Sequence, residues 1–182
     1  MKYYLDTLRE DDMERICAWR KQVRETLRTP FLQNLDQQIE FYNDIVCQRS
    51  ATPKHLYYAI RPVTSDTDTR YPGTLCAMGG LTNCDWINGV TEISLLVNPD
   101  RRGEGIGTAS VNLLLEEAFD RLRMYRVMGE VYQTRSENVT WWLNRLDDRK
   151  RHSPEEGTKF YNGRHYDSVR FWWLEPEWRD KR

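Results

Sequence analysis

Apolar residues recur along this chain with two periods, one typical of strands and one typical of helices. Strand-like segments occupy residues 1–8, 55–60, 73–81, 90–97, 126–133, 160–161 and 168–174. Helix-like segments occupy residues 10–24, 35–47, 108–123 and 137–146, and the third has an apolar stripe that includes Val111, Leu114 and Leu115. This order predicts an α/β fold of the mixed α+β type, in which helices flank both faces of a central mixed, twisted sheet. The length of 182 residues predicts one domain, over residues 1–182.

Short local signals mark where several of these segments begin and end. Asn34 or Asp36 is suited to cap the second helix, since either side chain accepts a hydrogen bond from a free backbone N–H group. Asn88 and Gly89 form a strong turn signal between two strands. Residues 64–71 and 147–157 are polar, and we interpret both as loops. The second loop is expected either over a substrate site or in solvent.

The charge and cysteine content exclude several classes of protein. With 27 basic and 28 acidic residues, the net charge of −1 argues against general nucleic-acid binding. No apolar run is long enough to span a membrane. The four cysteines lack the spacing of a metal site, so no metal is expected. Cys17, Cys47 and Cys76 lie in apolar patterns and are expected as buried free thiols, whereas Cys84 is expected to be exposed. These features predict a cytoplasmic protein without disulfides.

A glycine-rich loop between the strand at 90–97 and the third helix is the strongest functional signal. Gly103, Gly105 and Gly107 stand at alternate positions, and the helix is expected to begin at Gly107 or Thr108. Glycines allow backbone N–H groups to approach a ligand closely, and a helix start adds unpaired N–H groups and a partial positive charge. The loop is therefore suited to bind a phosphate or pyrophosphate, with Arg101 and Arg102 adding positive charge at its rim. The alternative is a surface turn that is rich in glycine.

This loop resembles the coenzyme-binding motif of one known family. Its spacing, G-x-G-x-G, matches neither the dinucleotide fingerprint nor the mononucleotide P-loop. Residues 102–107 instead fit the pattern R-x-x-G-x-G, and with the order of elements they resemble the GNAT superfamily of N-acetyltransferases over nearly the whole chain. Trp19, Arg20 and residues 29–31 are similar to substrate-side elements of the branches that acetylate ribosomal proteins and amino sugars. The resemblance implies acetyl-CoA as co-substrate and a splay of the sheet after its fourth strand.

The resemblance also implies which residues bind acetyl-CoA. The pyrophosphate is expected on the loop and helix start, at Arg102, Gly103, Glu104, Gly105, Ile106, Gly107 and Thr108. The pantetheine arm is expected to pair with backbone groups of Leu96 and Val97, in the strand that splays from its neighbour. Asn138 matches the asparagine of the family's next helix.

Glu92 is the candidate base that frees the acceptor amine of its proton. A lysine-like amine with a pKa near 10.4 costs about 4–5 kcal/mol to deprotonate at pH 7, whereas an α-amino group costs about 1 kcal/mol. Glu92 lies in a strand expected at the centre of the sheet, where a carboxylate is unusual, on the face shared by Ser94 and Leu96. GNAT enzymes often carry a glutamate at this place. The alternative is a structural carboxylate at the exposed beginning of the strand, paired with an arginine.

The family's usual acid for the leaving thiolate is a tyrosine, but its position here holds Arg145. Tyr132, Tyr161 and Tyr166 are near in sequence, yet none stands at the matched position. The family's alanine position in the same helix holds Trp141. Because an arginine does not release its proton, we predict that water protonates the thiolate.

Two functions remain open from the sequence. The first is an acetyl-CoA-dependent N-acetyltransferase that acts on a primary amine of a small molecule, an amino sugar, a protein N-terminus or another amine-bearing acceptor. The second is a non-catalytic GNAT-like module that binds an acyl-CoA as a sensor or interaction module.

The tryptophan-rich tail at residues 171–178 is apolar on both faces of a strand. One face is expected in the core, and the other against helices or against a second subunit in a homodimer.

Overall fold

The computed structural model describes residues 2–63, 74–146 and 151–180. Its strands are β1 (Tyr3–Thr7), β2 (Leu56–Pro62), β3 (Ala77–Asp85), β4 (Val90–Val97), β5 (Arg126–Tyr132), β6 (His152–Tyr161) and β7 (Arg164–Leu174). Its α-helices are α1 (Met13–Gln22), α2 (Leu35–Phe41), α3 (Ile106–Glu116), α4 (Ser136–Leu143) and α5 (Glu175–Arg179). A π-helical turn follows two of them, Tyr42–Val46 after α2 and Glu117–Arg121 after α3.

The strands form one mixed sheet of seven strands in the order β1-β2-β3-β4-β5-β7-β6. Neighbouring strands are antiparallel except β4 and β5, which run parallel. These two strands pair only between residues 90–92 and residues 126–128, and they separate beyond that point. The predicted mixed sheet and the splay after its fourth strand are confirmed. The splay leaves a gap within the sheet.

Helices cover both faces of the sheet because each presents an apolar side to it. On one face, α1 contributes Met13, Ile16 and Trp19 to a core that also contains Leu96 of β4. On the other face, α3 contributes Leu114, and Ile93, Phe171 and Trp173 of the strands pack into the same core. The residues of the tail that alternate with these remain partly exposed. Trp172, for example, stacks on the Arg126 guanidinium at 4.8 Å from the ring centroid.

The local signals for the ends of elements are mostly confirmed. The Asn34 side chain accepts a hydrogen bond from the Gln37 N–H at 2.8 Å and so caps α2. Asn88 and Gly89 lie in the turn between β3 and β4. The helix α3 begins at Ile106, slightly earlier than expected, because Gly105 with φ +78° already serves as its N-cap.

The interpretation of residues 147–157 as a loop is wrong from residue 152 onward. Residues 152–157 belong to β6, which pairs with β7 at the edge of the sheet. Most side chains of β6 are exposed on both faces and only Lys159 is buried, so the strand lacks the apolar alternation that predicts strands. Residues 147–150 and the loop predicted at residues 64–71 lie outside the described residues. The strand predicted from residue 73 begins at Ala77, and residue 73 also lies outside them.

The prediction of a buried thiol is correct for Cys17 and Cys76 and wrong for Cys47. Cys47 is exposed because it follows the π-helical turn after α2, where its N–H closes the turn on the Tyr42 carbonyl. Cys84 is of intermediate burial rather than exposed, and all four thiols are free. Within the described ranges, no helix combines the length and the apolar character needed to cross a membrane.

Candidate active site

A cavity of about 770 Å³ lies where β4 and β5 separate. Part of its wall comes from the loop before α3, the start of α3 and the helix α4, namely Arg101, Arg102, Gly103, Gly105, Ile106, Gly107, Thr108, Asn138, Trp141 and Arg145. Another part comes from the strands and from the segment between α1 and α2, including Arg28, Thr29, Glu92, Leu96, Val97, Glu130 and Tyr132. One cavity thus joins the sequence-predicted binding loop to the sequence-predicted base. Glu104 does not line it.

The glycine loop has the backbone of an anion site. Gly103 and Gly105 have φ values of +88° and +78°, which side-chain-bearing residues rarely adopt. A Cβ atom at either position would meet no atom within 4 Å, so the space in front of the loop is open. The first N–H groups of α3, which begins at Ile106, have no partner within the helix. This combination fits the pyrophosphate of a coenzyme.

Gly107 has a different role, which concerns packing. A Cβ atom at Gly107 would lie 2.8 Å from Cζ2 of Trp141. The absence of a side chain there lets α4 approach the first turn of α3. Gly107, which was expected to bind the coenzyme, therefore leaves room for Trp141 at the family's alanine position.

Two arginines add positive charge to this loop, but they are not the pair expected from the sequence. Arg101 is occupied by Glu104, at 2.6 Å between Nη2 and Oε2, and by the Cys76 sulfur at 3.0 Å. Arg102 is exposed and has no ion-pair partner among the residues that the structure describes. Arg145 reaches the loop from the end of α4 and donates from Nη2 to Thr108 Oγ1 at 2.6 Å.

Arg145 is held in place by aromatic and backbone contacts. Its guanidinium carbon lies 3.4 Å from the centre of the Trp141 ring, and Nη1 donates to the Trp141 carbonyl. Burial lowers the pKa of Arg145 from its ordinary value, but a guanidinium remains charged at neutral pH. The residue at the family's tyrosine position thus supplies a fixed cation beside the start of α3.

The end of β4 divides its backbone groups between β3 and the gap. The Asn98 N–H donates to the Cys76 carbonyl at 3.0 Å, which sets the alternation of hydrogen-bonded pairs in this antiparallel ladder. By that alternation Leu96 is bonded to Met78, whereas Val97 and Leu95 direct their backbone groups toward the gap. Val97 therefore remains suited to pair with a pantetheine arm, and the backbone of Leu96 is already used. Leu96 instead contributes its buried side chain to the core.

Glu92 lies where the two central strands part. It is the last residue of β4 in register with β5, opposite Met128. Its carboxylate accepts hydrogen bonds from both Nη1 and Nη2 of Arg28, the first at 3.1 Å, and from Asn83 Nδ2 at 3.0 Å. The bond with Glu92 raises the pKa of Arg28 above its ordinary value. Glu92 therefore combines features of both interpretations, since it lines the cavity and is also paired with an arginine.

A second carboxylate, Glu130 of β5, lies beside Glu92. Glu130 Oε2 accepts from Arg28 Nη2 at 3.2 Å, and Oε1 accepts from Ser168 Oγ at 2.7 Å. Tyr132 also contacts this group, because its hydroxyl lies 3.4 Å from Arg28 Nε and 3.5 Å from Glu130 Oε2. Burial raises the pKa of Tyr132. Of the three tyrosines considered from the sequence, only Tyr132 lines the cavity.

The sequence reasoning missed Glu130 and Arg28. Glu130 carries the same signal as Glu92, a charged residue within an otherwise apolar central strand, and could have been found by it. Arg28 has no such signal, because it is 64 residues from Glu92 and lies in the irregular segment between two helices. The other two tyrosines are engaged elsewhere. Tyr161 accepts a hydrogen bond from Arg24, and the ring of Tyr166 stacks on Arg164.

Within the described part of the chain, no group of three or more His, Cys, Asp or Glu side chains could hold a metal ion.

Comparisons with known proteins agree on the family. Residues 2–144 match the family model described as an acetyltransferase (GNAT) domain. A curated protein of Bacillus subtilis, named "Putative ribosomal N-acetyltransferase YdaF", is 32% identical over 114 residues, which are 62% of this chain and 60% of that protein. The match thus spans less than two thirds of the relative's length.

Solved structures show the same fold at lower sequence identity. A spermidine N-acetyltransferase SpeG chimera from Vibrio cholerae and hSSAT superposes with a TM-score of 0.80 at 17% identity, covering 99% of both chains. The Vibrio cholerae spermidine N-acetyltransferase in complex with CoA and spermine superposes with a TM-score of 0.79 at 16% identity, covering 98% of both chains.

Proposed function

Because the chain belongs to the GNAT acetyltransferase family, we propose that it transfers the acetyl group of acetyl-CoA to a primary amine. One observation carries this proposal. A single cavity, at the gap between β4 and β5, joins an open glycine loop at a helix start to the carboxylate of Glu92. A coenzyme with phosphates and an amine that must lose a proton would each find suitable groups there.

The donor would be held by backbone groups and two cations. The pyrophosphate fits the loop at Gly103 and Gly105 and the first turn of α3, with Arg102 and Arg145 as counter-charges. The pantetheine arm fits the gap, where Val97 and Leu95 direct their backbone groups. Acetyl-CoA supplies an activated acetyl group as a thioester. The role of Asn138, which lines the cavity, is proposed from the family resemblance.

The acceptor would be activated by Glu92. The amine nitrogen forms a bond to the acetyl carbon while the carbon–sulfur bond breaks, and the amine proton passes to Glu92 directly or through one water. An alkylamine costs about 4–5 kcal/mol to deprotonate at pH 7, against about 1 kcal/mol for an α-amino group, so a positioned base matters most for alkylamine acceptors.

The thiolate would take its proton from water. A thiol has a pKa near 8.5, so a side-chain donor saves roughly 2 kcal/mol at neutral pH. Tyr132, one of the tyrosines that line the cavity, contacts Arg28 and Glu130. Arg145 stands at the family's tyrosine position but does not release a proton.

The acceptor belongs to one of the amine classes considered above, and relatives indicate two of them by name. YdaF is named for ribosomal N-acetylation, and the Vibrio cholerae enzyme for spermidine.

A cytoplasmic location is proposed with this activity, supported by four free thiols. A homodimer through the tail is proposed as an alternative to a monomer, and light scattering of the purified protein would decide between them.

An amine panel with acetyl-CoA, read as free thiol, tests the function. We expect thiol release that depends on one class of primary amine. Tight binding of acetyl-CoA with no release for any amine would contradict catalysis and favour the non-catalytic module.

A further inference from the structure

Two mostly buried carboxylates, Glu92 and Glu130, lie at the gap between β4 and β5. The side chains of Glu92 and Glu130 are only 17% and 12% exposed. Asn83 donates to Glu92, and Ser168 donates to Glu130, so each carboxylate accepts a hydrogen bond from a neutral side chain as well as from Arg28. Both side chains lie on one face of adjacent strands, since Glu92 is opposite Met128 and Glu130 follows two residues later.

A single side chain, Arg28, bonds to both carboxylates among the described residues. Its Nη2 donates to Glu92 and to Glu130, and its Nη1 donates to Glu92. Two negative charges therefore face one positive charge. Two further cations lie near Glu130 but bond elsewhere: Lys159 Nζ donates to the Leu27 carbonyl, and Arg170, opposite Glu130 on β7, pairs with Glu155.

Arg28 reaches the site from outside the sheet. Its side chain is 53% exposed, whereas the carboxylates that it joins are mostly buried. The segment that carries it is fastened independently, by Lys159 at the Leu27 carbonyl and by a 2.9 Å bond from Arg20 Nη2 to Thr29 Oγ1. The Arg28 side chain can therefore rotate away without release of its backbone. Because the guanidinium is about half in solvent, it can return to water when another cation takes its place at the carboxylates.

We propose that Arg28 holds the place of the acceptor's ammonium group, and that the acceptor is a net-cationic primary alkylamine that displaces it. This inference rests on the proposed function and specifies its substrate class. Once Arg28 has left, two part-buried carboxylates would face the incoming amine with no bonded cation. Such a site favours an amine that carries a second positive charge and disfavours one that carries a carboxylate. An amine at the position that the Arg28 guanidinium leaves would also lie beside Glu92, the proposed base.

Three amines of matched chain length test the inference, namely 1,4-diaminobutane, n-butylamine and 4-aminobutanoate. The primary readout is calorimetric binding of each amine to the protein saturated with CoA, so the result does not require turnover. In Arg28→Gln, we expect 1,4-diaminobutane to bind about three- to tenfold more tightly, because an internal competitor no longer occupies the site. The expected order in the variant is 1,4-diaminobutane, then n-butylamine, then 4-aminobutanoate.

Two further variants separate this effect from a general change in the segment. Arg24→Gln removes an arginine from the same segment that contacts Tyr161 instead of the carboxylates, and it should leave the binding of 1,4-diaminobutane unchanged. Glu130→Gln, added to Arg28→Gln, should reverse the gain because one carboxylate is lost.

The results that would overturn this inference differ from the result that would contradict the proposed function. Weaker or unchanged binding of 1,4-diaminobutane in Arg28→Gln would overturn the inference. So would selective binding of 4-aminobutanoate by the wild type that is lost in the variant, because Arg28 would then bind an anionic acceptor. Tighter binding in Arg28→Gln without acetyl transfer to any amine would support the cation site and contradict the enzymatic function.

Discussion

Replacing Arg145 with alanine should weaken acetyl-CoA binding because a contact with the phosphates is lost, whereas contacts with the thioester are unchanged. Arg145 extends from the end of α4 to Thr108 in the first turn of α3, with 2.6 Å between Nη2 and Oγ1. Its position beside the N-terminus of a helix of 11 residues places a fixed positive charge where the backbone also favours an anion. We therefore expect the guanidinium to contact a phosphate of the donor.

The size of the effect follows from the kind of contact that is lost. A hydrogen bond to a charged group contributes about 1.5–3 kcal/mol, which corresponds to roughly 10- to 150-fold in Kd. The variant also loses contacts with Thr108 and the Trp141 carbonyl, each of which contributes about 1 kcal/mol to folding stability. A thermal melt should therefore show a modest loss of stability.

Calorimetry with two donors checks this reasoning. Acetyl-CoA should bind Arg145→Ala more weakly by the stated factor, whereas S-acetylpantetheine, which lacks the phosphates, should bind the variant and the wild type equally. Arg135→Ala is the matched control, because Arg135 lies at the other end of α4 and pairs with Glu25. Equal weakening for both donors would refute the phosphate contact and assign the loss to a disturbed α4. No weakening for either donor would refute it as well.

Four other changes have expected outcomes. Gly105→Glu should nearly abolish acetyl-CoA binding, because it strains a backbone with φ +78° and brings a negative charge to the loop; unchanged affinity in calorimetry would remove the loop from the site. Glu92→Gln should lower turnover by about a hundredfold near pH 7 with little change in coenzyme affinity. That loss should shrink as the pH approaches the amine pKa, and a loss that does not vary with pH would assign Glu92 a structural role. Leu114→Ala should cost about 2–5 kcal/mol in denaturant unfolding, since Leu114 is fully buried; a smaller loss would mean that α3 collapses onto β3. Tyr132→Phe should leave turnover largely intact, and a large drop with normal coenzyme binding would identify a side-chain acid.

The sheet could be predicted where one side of a strand is buried and not where both sides are exposed. β4 was predicted over its full length because its apolar run is bounded by a turn and by the glycine loop. Of β6 only residues 160–161 were predicted, because its pairing with β7 is made by backbone groups, while most of its side chains are polar and exposed. An edge strand of this kind leaves no periodic signal in the sequence.

In the candidate site, local features could likewise be predicted from the sequence, whereas contacts between distant segments could not. The loop at Gly103 and Gly105 is local, so its backbone requirements are visible in the sequence. The contact of Gly107 with Trp141 and the reach of Arg28 to Glu92 depend on how distant segments pack. The sequence could therefore indicate that Glu92 is unusual, but it could not reveal which cation faces it.

The most direct test of the account is product analysis by mass spectrometry. The wild-type protein is incubated with acetyl-CoA carrying a deuterated acetyl group and with the best amine of the panel, and Gly105→Glu serves as the inactive control. We predict deuterated N-acetyl amine in an amount equal to the CoA released, and neither product with the control. CoA released without acetylated amine, or equal product from Gly105→Glu, would contradict the claim that this cavity transfers an acetyl group to an amine.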